Sequence, residues 1–349
     1  MKRLSLFLLS LCIFFSPLFH SCSSGMKKYT AYSFDVFDTV TTVIGYANSK
    51  TEFDRISETI FRELEEYHRL FTIYEKDDVF SNLHTINSLI DGEHPAVSVD
   101  ARIIDMLLYA KEMYDLTEGK VNIAMGSVLS IWHTYREEGL QSPEHAKLPS
   151  PQDLKDAAEH CRIEDVMIDE KNGIVQLADP GMTLDVGAIA KGYAVEMIAG
   201  ELEKNGVSGY IINVGGNVRT IGSKPDGQAW MVGIENPQNT EKDYIAHCKL
   251  AGNSLVTSGS YQRYYTVDGK NYCHIINPDT LMPAEYFSAV SIIIDHSGMA
   301  DALSTALFNM TYEEGLALIN SIEGAEAIWV YPDGTLKYSD NFEQFVVEE

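Results

Sequence analysis

Cysteine is scarce in this 349-residue chain, and positive charge is scarcer than negative. Of five cysteines, Cys12 and Cys22 fall near the start, while Cys161, Cys248 and Cys273 are widely spaced with no C-x-x-C pair. That pattern argues against a disulfide framework and a cysteine zinc site, and leaves core packing as the default for the last three. Lysine and arginine number 26 against 51 aspartates and glutamates. So acidic a surface excludes nucleic acid as a partner, because binding it demands a basic face. A polyanionic substrate is repelled too, unless a metal ion or a local lysine receives it. Beyond residue 19 no long apolar run occurs, so the body of the chain contains no candidate spanning helix. Internal repeats and low-complexity segments are also lacking.

What is present begins with a processing signal. Lys2 and Arg3 form a basic start, residues 4–19 are nearly all apolar, and Ser21-Cys22 follows with a polar stretch behind it. Residues 1–21 read as a secretory signal of lipoprotein type, with Cys22 as the lipidated first residue of the mature chain. The alternative is an ordinary cleaved signal with an incidental cysteine. Residues 22–33 read as a tether and 34–349 as the folded body. The expectation is an exported lipoprotein, anchored by lipid to the cell membrane and facing the periplasm or outside. Without Lys2 and Arg3 the mature chain has a formal net charge of −27.

Periodicity assigns a strand to residues 34–47 and a helix to 51–70, with Thr51 and Asp54 as a capping pair. Further helices are expected at 100–114, 126–136, 189–204, 299–309 and 312–322. The last has Thr311 and Glu314 as a capping box, and Asn205-Gly206 stops the helix at 189–204. Strands are expected at 210–214, 230–235, 245–250 and 261–267, with 273–276 and 289–294 continuing the sheet. Asp268-Gly269 and Asp333-Gly334 read as hairpin turns. Strands and helices mixed without regular alternation give an α+β fold.

Three segments could carry chemistry. In Thr-Leu-Asp-Val-Gly-Ala-Ile-Ala-Lys-Gly (183–192), a strand end bearing Asp185 turns at Gly187 into a helix whose free N–H groups suit a phosphate. Lys191 puts a cation in that helix's first turn, where a structural role favours an acid. The segment reads equally as a plain strand-to-helix turn. In Ala-Asp-Ala-Leu-Ser-Thr-Ala (300–306), Asp301 and Thr305 share one helix face. They offer hard oxygen ligands for Mg²⁺, or else simple caps. The third segment, 257–278, combines aromatics, Arg263 and a hairpin turn with His274. That histidine is either a core residue of an apolar strand or a general base. Gly215-Gly216-Asn217 either lets a backbone approach a ligand or merely ends a strand.

In this order and spacing, DVGAIAKGYAVE, NVGGN, VTSGSYQRYYTVDGKNYCHIINPDT and ADALSTALF resemble the FAD:protein FMN transferase family, also called the ApbE family. The resemblance spans about residues 34–338 and implies that 34–349 is a transferase domain. It also implies the family's mixed sheet-and-helix fold, with a flavin cleft between lobes. It implies Mg²⁺ ligands at the Ala188 carbonyl and the Asp301 and Thr305 side chains, and FAD contacts at Phe37, Tyr74, Asp185, Lys191 and Ile275. His274 matches the family's suggested base, so His274 and Asp301 are the catalytic candidates. Phe37-Asp38-Thr39 stands where many members have Met-Gly-Thr, Lys120-Val121-Asn122 replaces an Ala-Phe-Asp-like triplet, and Leu281-Met282-Pro283 lacks the usual Gly before Pro.

The activity so implied moves the FMN part of FAD onto a Thr or Ser hydroxyl of an acceptor protein and releases AMP. The implied acceptors are subunits of membrane redox complexes or exported flavoproteins. Two rivals use the same site. One is Mg²⁺-dependent FAD pyrophosphatase activity, with water as the acceptor. The other is a non-catalytic FAD-binding lipoprotein, which has no need of a base.

Overall fold

The computed structural model describes residues 25–238 and 242–347. The signal segment 1–21 and Cys22 lie outside the described residues. The chain opens with a hairpin of β1 (Lys27–Val36) and β2 (Thr39–Ala47), turning through Phe37 and Asp38 at φ of +52° and +51°. Residues 27–33, expected as tether, are therefore strand. Tyr29 and Ala31 pack toward the core while Tyr32 stays exposed, an alternation diluted by the surrounding polar residues. Next comes α1 (Lys50–Phe71), capped by Ser49 rather than by Thr51 with Asp54. Ser49 accepts the Glu52 N–H at 3.1 Å, and the Glu52 carboxylate accepts the Asn48 N–H at 3.0 Å.

A run of smaller elements follows: α2 (Leu83–Asn87), β3 (Val97–Ser98), α3 (Ala101–Leu116), α4 (Gly126–Gln141), α5 (Pro151–Ala158), β4 (Val166–Asp169) and β5 (Ile174–Leu177). Then α6 (Ala190–Lys204) leads into β6 (Tyr210–Val214), β7 (Asn217–Ile221), β8 (Trp230–Glu235), β9 (Tyr244–Leu250) and β10 (Ser254–Gly259). The chain closes with β11 (Tyr264–Val267), β12 (Lys270–Cys273), β13 (Ala289–Ile294), α7 (Ser297–Phe308), α8 (Tyr312–Asn320), β14 (Glu326–Val330) and β15 (Leu336–Tyr338). Thr311 and Glu314 do form a capping box on α8, and Gly334 turns the last hairpin at φ +86°.

Eight strands form one antiparallel sheet in the order β1-β2-β6-β7-β10-β13-β14-β15. Strand parity explains its two cores. Ile212, Val214, Val290, Ile292 and Trp329 point to the side covered by α1, α6, α7 and α8. Ile211, Val218, Leu255, Ile293 and Ile328 point the other way, onto the β8–β9 hairpin and Phe342. Both faces being covered, β6 and β13 read as mainly apolar runs, interrupted only by Asn213 and Ser291.

Residues 261–267 and 273–276 do not continue this sheet as expected. β11 and β12 pair only with each other and lean on α4 through a smaller core of Val128, Trp132, Tyr265 and Ile276. The sheet positions fall instead to β7 and β10. Leu281 adopts φ +59°, a left-handed conformation that suits glycine better than leucine; its carbonyl accepts the Trp132 Nε1–H at 2.9 Å.

Gly45 of β2 lies opposite Tyr210, whose ring stacks on Phe53 at 6.1 Å. A Cβ at Gly45 would sit 2.2 Å from that ring. Gly45→Ala is expected to destabilise the fold by about 1–3 kcal/mol through overpacking, read as a lower urea midpoint at unchanged slope.

Candidate active site

Two hairpin tips and one helix start converge on a cleft of about 780 Å³. At the β6–β7 tip Gly215 has φ +56°, and a Cβ on it would lie 2.4 Å from Thr39 Oγ1 at the β1–β2 tip. Only a bare backbone allows the two tips to meet. The cleft is lined by Phe37, Tyr74, Asp185, Ala188, Lys191, His274, Ile275, Asp301 and Thr305.

The chemistry at its base starts where α6 and α7 touch. Gly192 lies in the first turn of α6, where backbone N–H groups have no partner inside the helix. Its N–H donates to Asp301 Oδ2 of α7 at 2.8 Å. The contact needs glycine, since a Cβ would lie 2.4 Å from the Ser297 carbonyl oxygen and 2.5 Å from Asp301 Cβ. Lys191 Nζ stands 3.8 Å from the same carboxylate oxygen. Asp301 is buried, and that desolvation raises its pKa despite Lys191 and the Gly192 N–H. One turn along α7, Thr305 Oγ1 lies 3.5 Å from Ser258 Oγ, which also bonds Ser304 Oγ at 2.8 Å. Before α6, Asp185 Oδ1 accepts the Gly187 N–H at 2.8 Å, and burial raises the pKa of this carboxyl as well.

No group of three or more His, Cys, Asp or Glu that could hold a metal occurs among the described residues. Among the residues lining the cleft, Asp301, Thr305 and Ala188 bring donors of another kind: one carboxylate, one hydroxyl and one backbone carbonyl. Hard oxygens in so small a number fit Mg²⁺, which keeps several waters and shares substrate phosphates. A buried carboxylate whose charged form is disfavoured by desolvation fits the same need.

His274 is not inside an apolar strand. It follows the last residue of β12 in a bend and lines the cleft, keeping some contact with solvent while the cleft walls surround its ring. Its Nδ1 lies 3.2 Å from the Arg263 carbonyl oxygen, which also accepts the His274 N–H at 3.1 Å. A carbonyl only accepts, so Nδ1 carries the proton and Nε2 presents its lone pair. The protein walls around the ring, then the charge of Arg263, push its pKa down to about 4. The imidazole is therefore neutral at physiological pH.

Other positions are arranged differently from one another. Tyr74 is 61% exposed, with its ring 5.6 Å from His133. Phe37 packs edge-on to His68 at 5.4 Å. Ile275 is only 7% exposed and its side chain belongs to the core. The cleft also gathers His133 and Arg136 of α4, joined at 2.9 Å, and Asn217 of β7. The α4 pair lay at a spacing of three, which puts both on one helix face, but no neighbouring motif singled it out.

Comparison with known proteins places this geometry. The ApbE family model matches residues 30–329. A protein of Klebsiella pneumoniae (strain 342) named FAD:protein FMN transferase is 30% identical over 278 residues, covering 79% of this chain and 82% of its own. One of the same name from Treponema pallidum (strain Nichols) is 31% identical over 289 residues, covering 77% and 78%. The crystal structure of the ApbE protein from Thermotoga maritima superposes with a TM-score of 0.79 at 28% identity, over 92% of this chain and all of that one. The flavin transferase ApbE from Vibrio cholerae, at 24% identity and a TM-score of 0.74, shares the fold over 92% of this chain and 99% of its own.

The raised pKa of Asp301 makes a prediction about stability. Raised above its unfolded value, it contributes stability at low pH that is lost as pH rises through the folded pKa. Asp301→Asn keeps an acceptor for the Gly192 N–H while removing the charge. In metal-free buffer its Tm is expected to exceed that of the wild type at pH 7, with the gap closing below pH ~4, near the ordinary aspartate pKa. A lower Tm at pH 7 would mean that Lys191 and the Gly192 N–H outweigh desolvation.

Proposed function

The chain belongs to the ApbE family, and from that membership we propose that it is a flavin transferase that uses FAD as its substrate. In this reading the FMN moiety passes to a Thr or Ser hydroxyl of an acceptor protein and AMP is released. The observation that carries it is the pairing, in one cleft, of a buried Asp301–Lys191–Gly192 cluster with a neutral histidine whose Nε2 is free.

The residues divide the work. Asp301, Thr305 and the Ala188 carbonyl would hold Mg²⁺, which when bound neutralises pyrophosphate charge as a Lewis acid. Lys191 and the start of α6 add positive potential on the same side. His274 Nε2 takes the proton of the acceptor hydroxyl as its oxygen bonds to the FMN phosphorus. The bond from that phosphorus to the bridging oxygen breaks, and AMP departs with that oxygen. Phe37 and Tyr74 offer aromatic surface for the ring systems of FAD, and Asp185 offers a carboxylate for its polar groups.

Residues 1–22 supply the rest of the proposal. A signal ending before a lipidated Cys22 would hold the enzyme on the extracytoplasmic face of the cell membrane, beside acceptors that are subunits of membrane redox complexes. No helix among the described residues is long and apolar enough to cross a membrane.

The test is mass spectrometry on the mature protein mixed with FAD, Mg²⁺ and a candidate acceptor domain. The acceptor is expected to gain one FMN less one water, and EDTA is expected to abolish the gain. Free FMN and AMP beside unmodified acceptors would make the protein a pyrophosphatase; intact FAD would make it a binding protein. His274→Ala is expected to lower the transfer rate about 10²–10⁴-fold. The same variant keeps the Mg²⁺-dependent rise in Tm, while Asp301→Ala loses both.

A further inference from the structure

Asn217, the first residue of β7, is 1% exposed and lines the cleft floor. Its Oδ1 accepts a 2.6 Å hydrogen bond from Ser297 Oγ. Ser297 is wholly buried at the start of α7, where its own N–H is held by Glu196 Oε2 at 2.6 Å. The other half of the amide, Nδ2, is buried without a hydrogen bond of regular geometry. Folded proteins rarely leave such a donor unused.

Nδ2 lies beside the contact of Gly192 with Asp301. The point where a Cβ on Gly192 would fall lies 2.5 Å from Asp301 Cβ and 3.0 Å from Asn217 Nδ2. The three groups therefore crowd one spot. The flip of the amide is set by its surroundings. Turning Oδ1 toward Asp301 would set two acceptors against each other, whereas the Ser297 hydroxyl can donate to Oδ1 where it stands.

We propose that Asn217 is a positioning residue, fixed by Ser297, that orients the Asp301 carboxylate so that one oxygen serves the Gly192 N–H and the other is turned to a bound divalent cation. The inference rests on the Mg²⁺ reading given above. Partners of metal ligands commonly change metal affinity 10–100-fold when removed.

The test titrates Mg²⁺ into the mature protein, without flavin, by calorimetry and by Tm. Asn217→Ala is expected to raise the Mg²⁺ Kd about 10–100-fold, and Ser297→Ala to raise it less. A lowered Tm with an unchanged Kd would show that Asn217 only supports the fold and would overturn the proposal. Should Asn217→Ala fail to fold, Ser297→Ala decides alone, and an unchanged Kd there overturns it equally. No Mg²⁺ response in the wild type would remove the cation reading itself, and this inference with it.

Discussion

The contact between α6 and α7 at Gly192 is the constraint on which the site depends. Two helix backbones meet there because one residue has no side chain. The close approach brings an orphan N–H of a helix start onto a carboxylate of its neighbour, and it sets Lys191 beside the same oxygen. It also presses Ser297, and through it Asn217, into the same few ångströms. A larger residue at Gly192 would part the helices and dissolve the arrangement, whatever the remaining side chains were.

The eight-stranded sheet keeps that contact rigid. α6 and α7 lie on one face of it, packed on β6, β7, β10 and β13, and the opposite face is sealed by β8–β9. The buried Arg219, paired with Glu196 and Glu203, ties β7 to α6. Glu196 in turn holds the Ser297 N–H, so the ion pair reaches the start of α7. A buried polar network of this kind favours one arrangement of β7, α6 and α7.

Much of this was legible in the sequence because local signals agreed with the final structure. The helix at 312–322 was marked by Thr311 and Glu314, and the hairpins by Asp268-Gly269 and Asp333-Gly334. What escaped was set by distant partners. β7 carries Asn217, Arg219 and Thr220, polar residues that look exposed until Ser297, Glu196 and the loop at 252–253 take them up. β10 is rich in hydroxyls, and its second half falls in the segment 257–278 that was read for its chemistry. Residues 27–33 looked like linker because their apolar positions are few. The convergence of Asp185, Lys191, Asp301 and His274 was implied by resemblance to a family. Spacing alone supplied only the Asp301–Thr305 pair, because the other approaches span loops and strands whose course no short pattern dictates.

His274 and Asp301 stand on separate foundations. His274 hangs from the Arg263 carbonyl beside a two-stranded arm that leans on α4, whereas Asp301 belongs to the main sheet's helix layer. Packing on α4 therefore sets where the imidazole stands, and the meeting of α6 and α7 sets where the carboxylate stands. The cleft is in this sense a joint between two separately packed parts, and a repacked core under one of them leaves the footing of the other unchanged.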